Sequence, residues 1–375
     1  MKTTLWTVFV VVAVFLGLVI AYSQTGLPER PGGAGKAVAA GYGKGAQVTG
    51  VPANWSMADA NPDLLVRPLD IERNRGKWIV IDCRDKASYD EGHIPGAISL
   101  GGRCHAVMRD TEKIIPIVGK MESDYDFEPI KKALEGGRLD RETLLGSLSL
   151  RAVEDLEKLF ARAGVSRDKT VVVYSDSRDI LPGYHAVPFF TLEYLGHPDV
   201  RILDGGIEEW KAYGKPLDTN EHKLPPSVFK AQVARQRLAT TDEVLRIAKG
   251  DLRDVQLVDS RLPVEFSGER PVPPGHFLEK AVDRAGRIPN TTLNVPHFQQ
   301  FVDMETLRLK KIPALAAMYR ELDKNKRTVL YCYIANRISF SYFVLRLLGF
   351  KDPAIYHDSW IVWGNDTRLP IEGGS

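Results

Sequence analysis

The chain has 375 residues, of which 44% are apolar and 26% are charged, and its 50 Lys and Arg residues almost balance its 48 Asp and Glu residues. This length excludes a single small domain and favours two domains of roughly 150 residues each. The near-neutral charge argues against a protein that works by binding nucleic acid or an anionic membrane surface.

The N-terminal residues predict export. Residues 5–22, "LWTVFVVVAVFLGLVIAY", form an uncharged run of 18 residues behind Lys2, and residues 21–23, "AYS", offer a small-x-small cleavage site. A signal peptide and a retained transmembrane anchor over residues 1–23 are both open. Either one places the body in the periplasm or cell envelope. Residues 24–60 are rich in Gly, Ala and Pro and predict a flexible tether.

The three cysteines, Cys83, Cys104 and Cys332, are too few for a disulfide scaffold. No Cys-x-x-Cys or clustered Cys and His pattern occurs in the sequence, which predicts no metal site. Cys83 follows an apolar run, so a packed thiol is expected there, and a disulfide with Cys104 is the alternative.

Short β-branched runs alternate with helix-like stretches after residue 60. Residues 77–85, "KWIVIDCRD", and 169–176, "KTVVVYSD", are typical of buried strands, and residues 151–164, "RAVEDLEKLFARAG", have the period of a helix. This alternation predicts an α/β fold in which helices flank parallel sheets.

The chain also repeats itself. Three segments of the first half return in the second: 80–100 between 257 and 296, 171–176 ("VVVYSD") as 328–333 ("TVLYCY"), and 195–210 as 348–363. The repeats predict two similar domains, at 61–220 and 221–375, joined by a linker rich in Pro and charge at 218–232.

Cys332 ends a strand-like run in "VLYCYIANRISF", residues 329–340, and the apolar positions after it follow a helical period. At a strand-to-helix turn, loop amides and the positive end of the helix dipole favour an anion, so they lower the pKa of a thiol placed there. Arg337 would add a planar cation for a sulfonate-like or carboxylate group. A buried, inert cysteine is the alternative.

Three motifs together resemble the tandem rhodanese-type sulfurtransferases, a family that includes thiosulfate and 3-mercaptopyruvate sulfurtransferases. They are "DCRDKASYDEGHIPGAI" (82–98), "VLYCYIANRISFSYFVLRLLGF" (329–350) and "YHDSWIVWGN" (356–365). The resemblance covers about residue 64 to the C-terminus. It implies two rhodanese-like domains, each a parallel sheet flanked by helices, of which the second is catalytic.

The mechanism that the resemblance implies is ping-pong transfer. The thiolate of Cys332 attacks the outer sulfur of a donor such as thiosulfate or 3-mercaptopyruvate, sulfite or pyruvate leaves, and a persulfide remains for a thiophilic acceptor, which is a small molecule or a protein. The implied donor-binding loop consists of Tyr333, Ile334, Ala335, Asn336 and Arg337. Arg261 and Trp360 are candidate cleft residues, and no metal or organic cofactor is implied.

Two positions depart from the family pattern. Ala335 stands where glycine is usual, and alanine costs about 1 kcal/mol if the position needs a positive φ. Glu265 stands four residues after Arg261, where some tandem members carry a substrate-binding arginine. This exchange argues against efficient use of thiosulfate and for another donor or a protein-bound persulfide.

Two other functions stay open. Related phosphatases and arsenate reductases use a Cys-x5-Arg loop, and the tighter Cys-x4-Arg spacing from Cys332 to Arg337 disfavours that chemistry. The second is a non-catalytic envelope protein that binds or carries sulfur, or that scaffolds a partner.

In the first repeat Ser175 takes the place of the cysteine. Without a thiolate no persulfide can form, so this domain is expected to be inactive and to support the second. Asp82 with Arg84, and Asp259 with Arg261, are expected to form structural pairs at the ends of two strands.

Overall fold

Two parallel five-stranded β-sheets organise the residues that the computed structural model describes, which are 55–100, 104–119, 128–180, 183–270, 281–296 and 300–373. The elements of the first domain are β1 (Leu65–Val66), α1 (Pro68–Arg73), β2 (Ile79–Asp82), α2 (Lys86–Glu91), β3 (Ile98–Ser99), α3 (Ile115–Val118), α4 (Glu128–Glu135), α5 (Arg141–Ser147), α6 (Val153–Arg162), β4 (Val171–Tyr174), α7 (Ser177–Ile180), α8 (Ala186–Tyr194), β5 (Val200–Leu203) and α9 (Gly206–Ala212).

The elements of the second domain are β6 (Leu238–Ala239), α10 (Thr241–Ala248), β7 (Gln256–Asp259), α11 (Pro263–Ser267), β8 (Leu293–Asn294), α12 (Ile312–Met318), β9 (Arg327–Tyr331), α13 (Asn336–Leu348), β10 (Asp352–Tyr356) and α14 (Ser359–Trp363). Short 3-10 turns lie at Met57–Asp59, Pro62–Leu64, Cys104–Ala106, Thr111–Lys113 and Arg235–Arg237.

The two sheets have the same topology. The strand order is β1-β5-β4-β2-β3 in the first and β6-β10-β9-β7-β8 in the second, and all pairs are parallel. The central strands β4 and β9 occupy equivalent positions, since Tyr174 pairs with Asp82 and Tyr331 pairs with Asp259. Every residue of β4 is buried, as a strand covered by helices on both faces requires. The predicted α/β fold is confirmed.

One apolar core joins the two domains through helices α8 and α13. The rings of Phe189 and Phe343 meet edge to face at 4.9 Å. Glu193 of α8 accepts a hydrogen bond from Tyr342 Oη at 2.6 Å and pairs with Arg346 at 3.0 Å. Because α13 is buried on nearly all sides, it is an internal helix of the whole body rather than a surface helix.

The structure pairs Cys83 with Cys104 in a disulfide, with 5.2 Å between the two Cα atoms. The expectation of a packed free thiol at Cys83 is therefore wrong, and the alternative pairing is the one present. The reason is tertiary, because the 3-10 turn at Cys104–Ala106 folds back onto the end of β2.

The predicted signal or anchor at 1–23 and most of the tether at 24–60 lie outside the described residues. Within the described ranges, no helix combines the length and apolar character needed to cross a membrane.

Candidate active site

Cys332 lies in the turn between β9 and α13, at the carboxyl edge of the second sheet. Its side chain is fully buried. Its backbone N–H donates a hydrogen bond to Ser359 Oγ at 3.2 Å, and its carbonyl accepts one from the N–H of Trp360 at 3.0 Å. The backbone that carries the thiol is thus fixed at both its donor and its acceptor.

Ser359 is a site residue that the sequence reasoning missed. Its hydroxyl also donates to the carbonyl of Tyr356 at 2.8 Å, so it ties the end of β10 to the cysteine turn. Ser359 has a φ of +49°, and its counterpart in the first repeat, Gly206, has a φ of +57°. The aligned glycine was the signal that a left-handed residue stands here.

Ala335 has a φ of +66° and is fully buried. The position therefore needs the left-handed conformation for which glycine is the usual residue, at a cost to alanine of about 1 kcal/mol. The turn at Ala335 lets α13 begin at Asn336. The first N–H groups of a helix have no partner within it, so this turn brings donors suited to an anion next to Cys332.

Arg337 forms an internal ion pair. Its Nη1 lies 2.7 Å from Oε2 of Glu265, a fully buried carboxylate whose same oxygen also accepts the N–H of Leu262 at 2.9 Å. Burial by itself would lower the pKa of Arg337, but the negative charge of Glu265 and the nearness of Cys332 raise it above its ordinary value. The predicted donor-binding arginine is already engaged by a carboxylate.

The other residues of the loop differ in their exposure and in their hydrogen bonds. Tyr333 is buried and its carbonyl accepts the N–H of Ile361 at 3.0 Å. Asn336 is buried, and its side-chain oxygen accepts a hydrogen bond from Arg109, which also donates to the carbonyl of Ile334. Of the five predicted donor-binding residues, only Ile334 and Arg337 are partly exposed.

The first domain supplies residues that no local motif marked. Besides Arg109, Tyr184 lies near enough to raise the pKa of Arg337, and the ring of His185 lies 5.0 Å from that of Phe340 in α13. A Cβ atom on Gly183 would lie 2.4 Å from Cδ1 of Phe340. The segment after β4 therefore packs directly on the helix that carries Arg337.

Arg261 and Trp360, the two candidate cleft residues, are both fully buried. Arg261 pairs with Asp259 at 2.7 Å, donates to the carbonyl of Gly286 at 2.8 Å, and stacks on the ring of Trp360 at 4.4 Å. In the first domain Arg84 pairs with Asp82 in the same way, at 2.6 Å. The structure places Arg261 and Trp360 in the interior that supports the cysteine turn.

Ser175 occupies the place of Cys332 directly after the central strand of the first sheet. The chain there does not enter one long helix but forms the short α7 and, six residues later, α8, whose first turn contains Pro188. Among the described residues, the turn after β4 thus has neither the thiol nor the turn-to-helix geometry that surrounds Cys332.

Comparison with known proteins agrees with this architecture. The sequence model described as "Rhodanese-like domain" matches residues 67–213 and 240–366. The "Sulfur carrier protein TtuD" of Thermus thermophilus is 37% identical over 328 residues, covering 85% of this chain and 99% of that protein. A protein of Mycobacterium leprae, provisionally named a thiosulfate sulfurtransferase, is 30% identical over 295 residues, covering 78% of this chain and 90% of its own.

Among solved structures, the anaerobic ergothioneine biosynthesis enzyme from Chlorobium limicola, in complex with trimethyl histidine, aligns with a TM-score of 0.63. The alignment covers 84% of this chain and 71% of that enzyme at 20% identity, so it shows a shared fold. Two matched domains, a common sheet topology and these relatives establish one conclusion: the chain belongs to the rhodanese-like family, with two such domains in tandem.

Proposed function

We propose that this protein is a sulfurtransferase that moves sulfane sulfur from thiosulfate, 3-mercaptopyruvate or a related donor to a thiophilic acceptor through a persulfide on Cys332. The observation that carries the proposal is the position of Cys332 between a central strand and the start of α13, beside the left-handed turn at Ala335. The names of the relatives, which describe sulfur transfer and sulfur carriage, support the same class of chemistry.

The first half-reaction forms the persulfide. The Cys332 thiolate attacks the outer sulfur of the donor, and the donor's bond to that sulfur breaks, so sulfite or the enolate of pyruvate leaves with the electron pair. The donors at the start of α13 favour the thiolate before the step and the persulfide anion after it. In the second half-reaction a nucleophile takes the sulfane sulfur and Cys332 leaves as a thiolate.

The Arg337–Glu265 pair bears on donor choice. Glu265 neutralises the arginine that would otherwise hold an anionic donor, so a dianion such as thiosulfate meets less positive charge here. We therefore propose 3-mercaptopyruvate or a protein-bound persulfide as a better donor than thiosulfate.

The proposal is tested by mass spectrometry of the full chain after incubation with thiosulfate or 3-mercaptopyruvate. The expected result is the gain of one sulfur atom on Cys332, which is absent in Cys332→Ser. The absence of any adduct with either donor, in a protein whose Cys332 thiol reacts fully with an alkylating reagent, would overturn it.

A second candidate, a non-catalytic sulfur carrier, is favoured by the relative that is named a sulfur carrier protein. A carrier would also load Cys332 but would hold the sulfur against small thiols. Incubation of the loaded protein with cyanide and with small thiols separates the two, because repeated turnover supports a transferase and a retained persulfide supports a carrier.

We also propose that the protein is exported to the periplasm or cell envelope. The apolar run at residues 5–22 supports this, and so does the Cys83–Cys104 disulfide, because disulfides persist in oxidising compartments. N-terminal sequencing of the protein from cell fractions tests it. A chain that begins near Gln24 in the periplasm indicates a cleaved signal, an intact chain in the membrane indicates an anchor, and a cytoplasmic chain would contradict export.

A further inference from the structure

Arg109 belongs to the first domain, yet its guanidinium group reaches the active loop of the second. The side chain is 4% exposed, and its Nη2 donates both to the carbonyl of Ile334 and to Oδ1 of Asn336. These two acceptors lie on either side of Ala335, the left-handed residue of the loop. Arg109 therefore spans the turn that separates Cys332 from α13.

The turn at Ala335 needs support from outside the loop. A non-glycine residue with a φ of +66° persists only where the surrounding structure fixes it. Arg109 fixes the carbonyl before this residue and the side chain after it, and hydrogen bonds from a charged donor are stronger than those between neutral groups. Without Arg109 the turn should relax, and the N–H groups at the start of α13 would no longer be held next to Cys332.

The backbone that carries Arg109 is itself fixed. Its N–H donates to the carbonyl of Ala106 at 2.9 Å, and its carbonyl accepts hydrogen bonds from Nε and Nη2 of Arg151 at 3.1 and 2.9 Å. Arg151 also pairs with Glu112 at 3.1 Å, and its N–H donates to the carbonyl of Met108 at 2.8 Å. A side chain on a fixed backbone can impose a geometry on the groups that it contacts.

The Cys83–Cys104 disulfide anchors the same segment. Cys104 begins the 3-10 turn that ends at Ala106, three residues before Arg109. Cys83 follows β2 directly, and its N–H donates to the carbonyl of Tyr174, the last residue of β4, at 2.9 Å. The disulfide thus ties the segment at 104–109 covalently to the central strands of the first sheet.

The two domains are also joined by contacts outside the active loop. Arg141 of α5 pairs with Asp283 of the second domain at 2.8 Å, and Glu193 of α8 pairs with Arg346 of α13 at 3.0 Å. Loss of Arg109 should therefore disturb the loop at 333–337 more than it disturbs the interface between the domains.

We propose that Arg109 is a positioning residue for persulfide formation on Cys332 and that the Cys83–Cys104 disulfide holds it in place. This inference rests on the proposed persulfide chemistry. Arg109 acts through the loop and not on the donor, because it is buried and its Nη2 is engaged by two loop oxygens. The first domain, which has Ser175 at its own turn, thus contributes to the reaction at the second.

The kinetic test follows single-turnover persulfide formation on the full chain with 3-mercaptopyruvate. Arg109→Gln should lower the rate at saturating donor at least about tenfold and leave the half-saturating donor concentration unchanged. Arg109→Lys, which keeps a charged donor, should retain part of the rate. An effect confined to the half-saturating concentration would indicate contact with the donor and would overturn the positioning role.

The matched control is Arg167→Gln. Arg167 is another arginine of the first domain that donates to a carbonyl, that of Gly196, and to a side-chain amide oxygen, that of Gln232. Its partners lie outside the active loop, so this variant should load sulfur at the wild-type rate.

Combined substitutions separate positioning from general stability. Glycine adopts a φ near +66° without the steric cost to alanine, so Ala335→Gly should recover at least about threefold of the rate that Arg109→Gln loses. Cys83→Ala/Cys104→Ala should slow loading about threefold in the wild-type background and have no further effect in Arg109→Gln. Independent effects in the first combination would overturn the positioning role, and independent effects in the second would overturn the part of the disulfide.

Hydrogen exchange tests the loop without sulfur chemistry. In Arg109→Gln the amides at 333–338 should exchange at least about tenfold faster than in the wild type, and those of β7 should be unchanged. Arg167→Gln should leave exchange in the loop unchanged. Far-UV circular dichroism establishes that each variant is folded.

The outcomes distinguish this role from the proposed function. If Cys332 never loads in the wild type but exchange in the loop rises in Arg109→Gln, the sulfurtransferase function is overturned and the hold of Arg109 on the loop stands. If folded Arg109→Gln loads at the wild-type rate, or its loop exchanges as in the wild type, the positioning role is overturned and the function stands. If Arg109→Gln does not fold, Arg109→Lys and the double cysteine variant carry the test, and wild-type rates in both overturn the proposal.

Discussion

The turns after β4 and β9 lie at equivalent positions of two sheets with the same topology, yet they differ in nearly every feature that chemistry needs. The second turn carries Cys332, bends through the left-handed Ala335 and enters a helix of 13 residues. The first carries Ser175 and leads into a four-residue helix before the chain turns to pack on α13. The fold therefore requires neither a thiol nor a long helix at this turn, and the segment after β4 packs instead on α13 of the second domain.

The largest effect is expected when the thiol is moved from the second turn to the first. The double variant Cys332→Ser/Ser175→Cys should load no sulfur, because Ser175 lacks the left-handed turn and long helix that favour a thiolate. Mass spectrometry after incubation with 3-mercaptopyruvate checks it, with Cys332→Ser as the control. A persulfide at position 175 would show that the thiol alone makes a site.

The ion pairs that are common to both domains should differ little in their effect on stability. Asp259→Asn leaves the fully buried Arg261 without its partner and should lower the free energy of unfolding by about 3–5 kcal/mol. Asp82→Asn should cost a similar amount through Arg84. Denaturant titration measures both, and a loss below about 1 kcal/mol in either variant would contradict a structural role for that pair.

Glu265 has no acidic counterpart in the first repeat, where Ser88 stands at its position and accepts a hydrogen bond from Arg178 at 2.8 Å. Glu265→Gln removes the charge that neutralises Arg337, so the rate of loading by thiosulfate should rise about tenfold relative to loading by 3-mercaptopyruvate. Single-turnover rates with both donors measure the ratio. An unchanged ratio would show that Glu265 does not set donor choice.

Ala335→Gly restores the residue that the left-handed turn favours. It should raise the free energy of unfolding by about 1 kcal/mol, because glycine adopts φ near +66° without the steric cost to alanine. Ala161→Gly, inside α6, should change stability by about the same amount in the opposite sense. A loss of stability in Ala335→Gly would show that the turn is not strained.

His357 and Asp204, which follow the equivalent strands β10 and β5, should respond to pH with opposite sign. Burial lowers the pKa of His357, so the unfolded chain binds its proton more tightly, and stability falls as the pH drops through about 6.5, its usual value. Burial raises the pKa of Asp204, so the native state binds its proton more tightly, and its contribution to stability grows as the pH falls through that raised pKa toward the usual value of 3.8. Denaturant titrations at pH 7 and pH 5 should show a smaller loss in His357→Gln than in the wild type, and an equal loss would contradict the assignment.

Local pattern explains most of what could be predicted about the fold and the cysteine turn. The β-branched runs predicted β2 and β4, and the helical period predicted α13. The internal repeat predicted two similar domains, and their sheets have the same topology. The position of Cys332 follows from the same pattern, because a strand and a helix that are adjacent in sequence must be joined by a turn. The burial of Arg261 and Trp360 could not be predicted from the sequence, because it depends on how Asp259 and α14 pack around them.

The residues that complete the site come from distant parts of the chain and leave no local signature. Arg109 reaches the loop from more than two hundred positions away, and Cys104 finds Cys83 only because a 3-10 turn folds back on β2. Their side chains are ordinary in sequence and acquire a role only from their neighbours in space.

The sequence by itself determined the family, the duplicated α/β architecture and the single thiol of the second turn, because these depend on residue type and on spacing along the chain. Only the tertiary structure decided that Ala335 is left-handed, that Arg337 is neutralised by Glu265, and that Arg109 of the first domain donates to the active loop. The physical reason is that charge pairing, burial and the filling of space are set by groups brought together in folding, which sequence order does not place side by side.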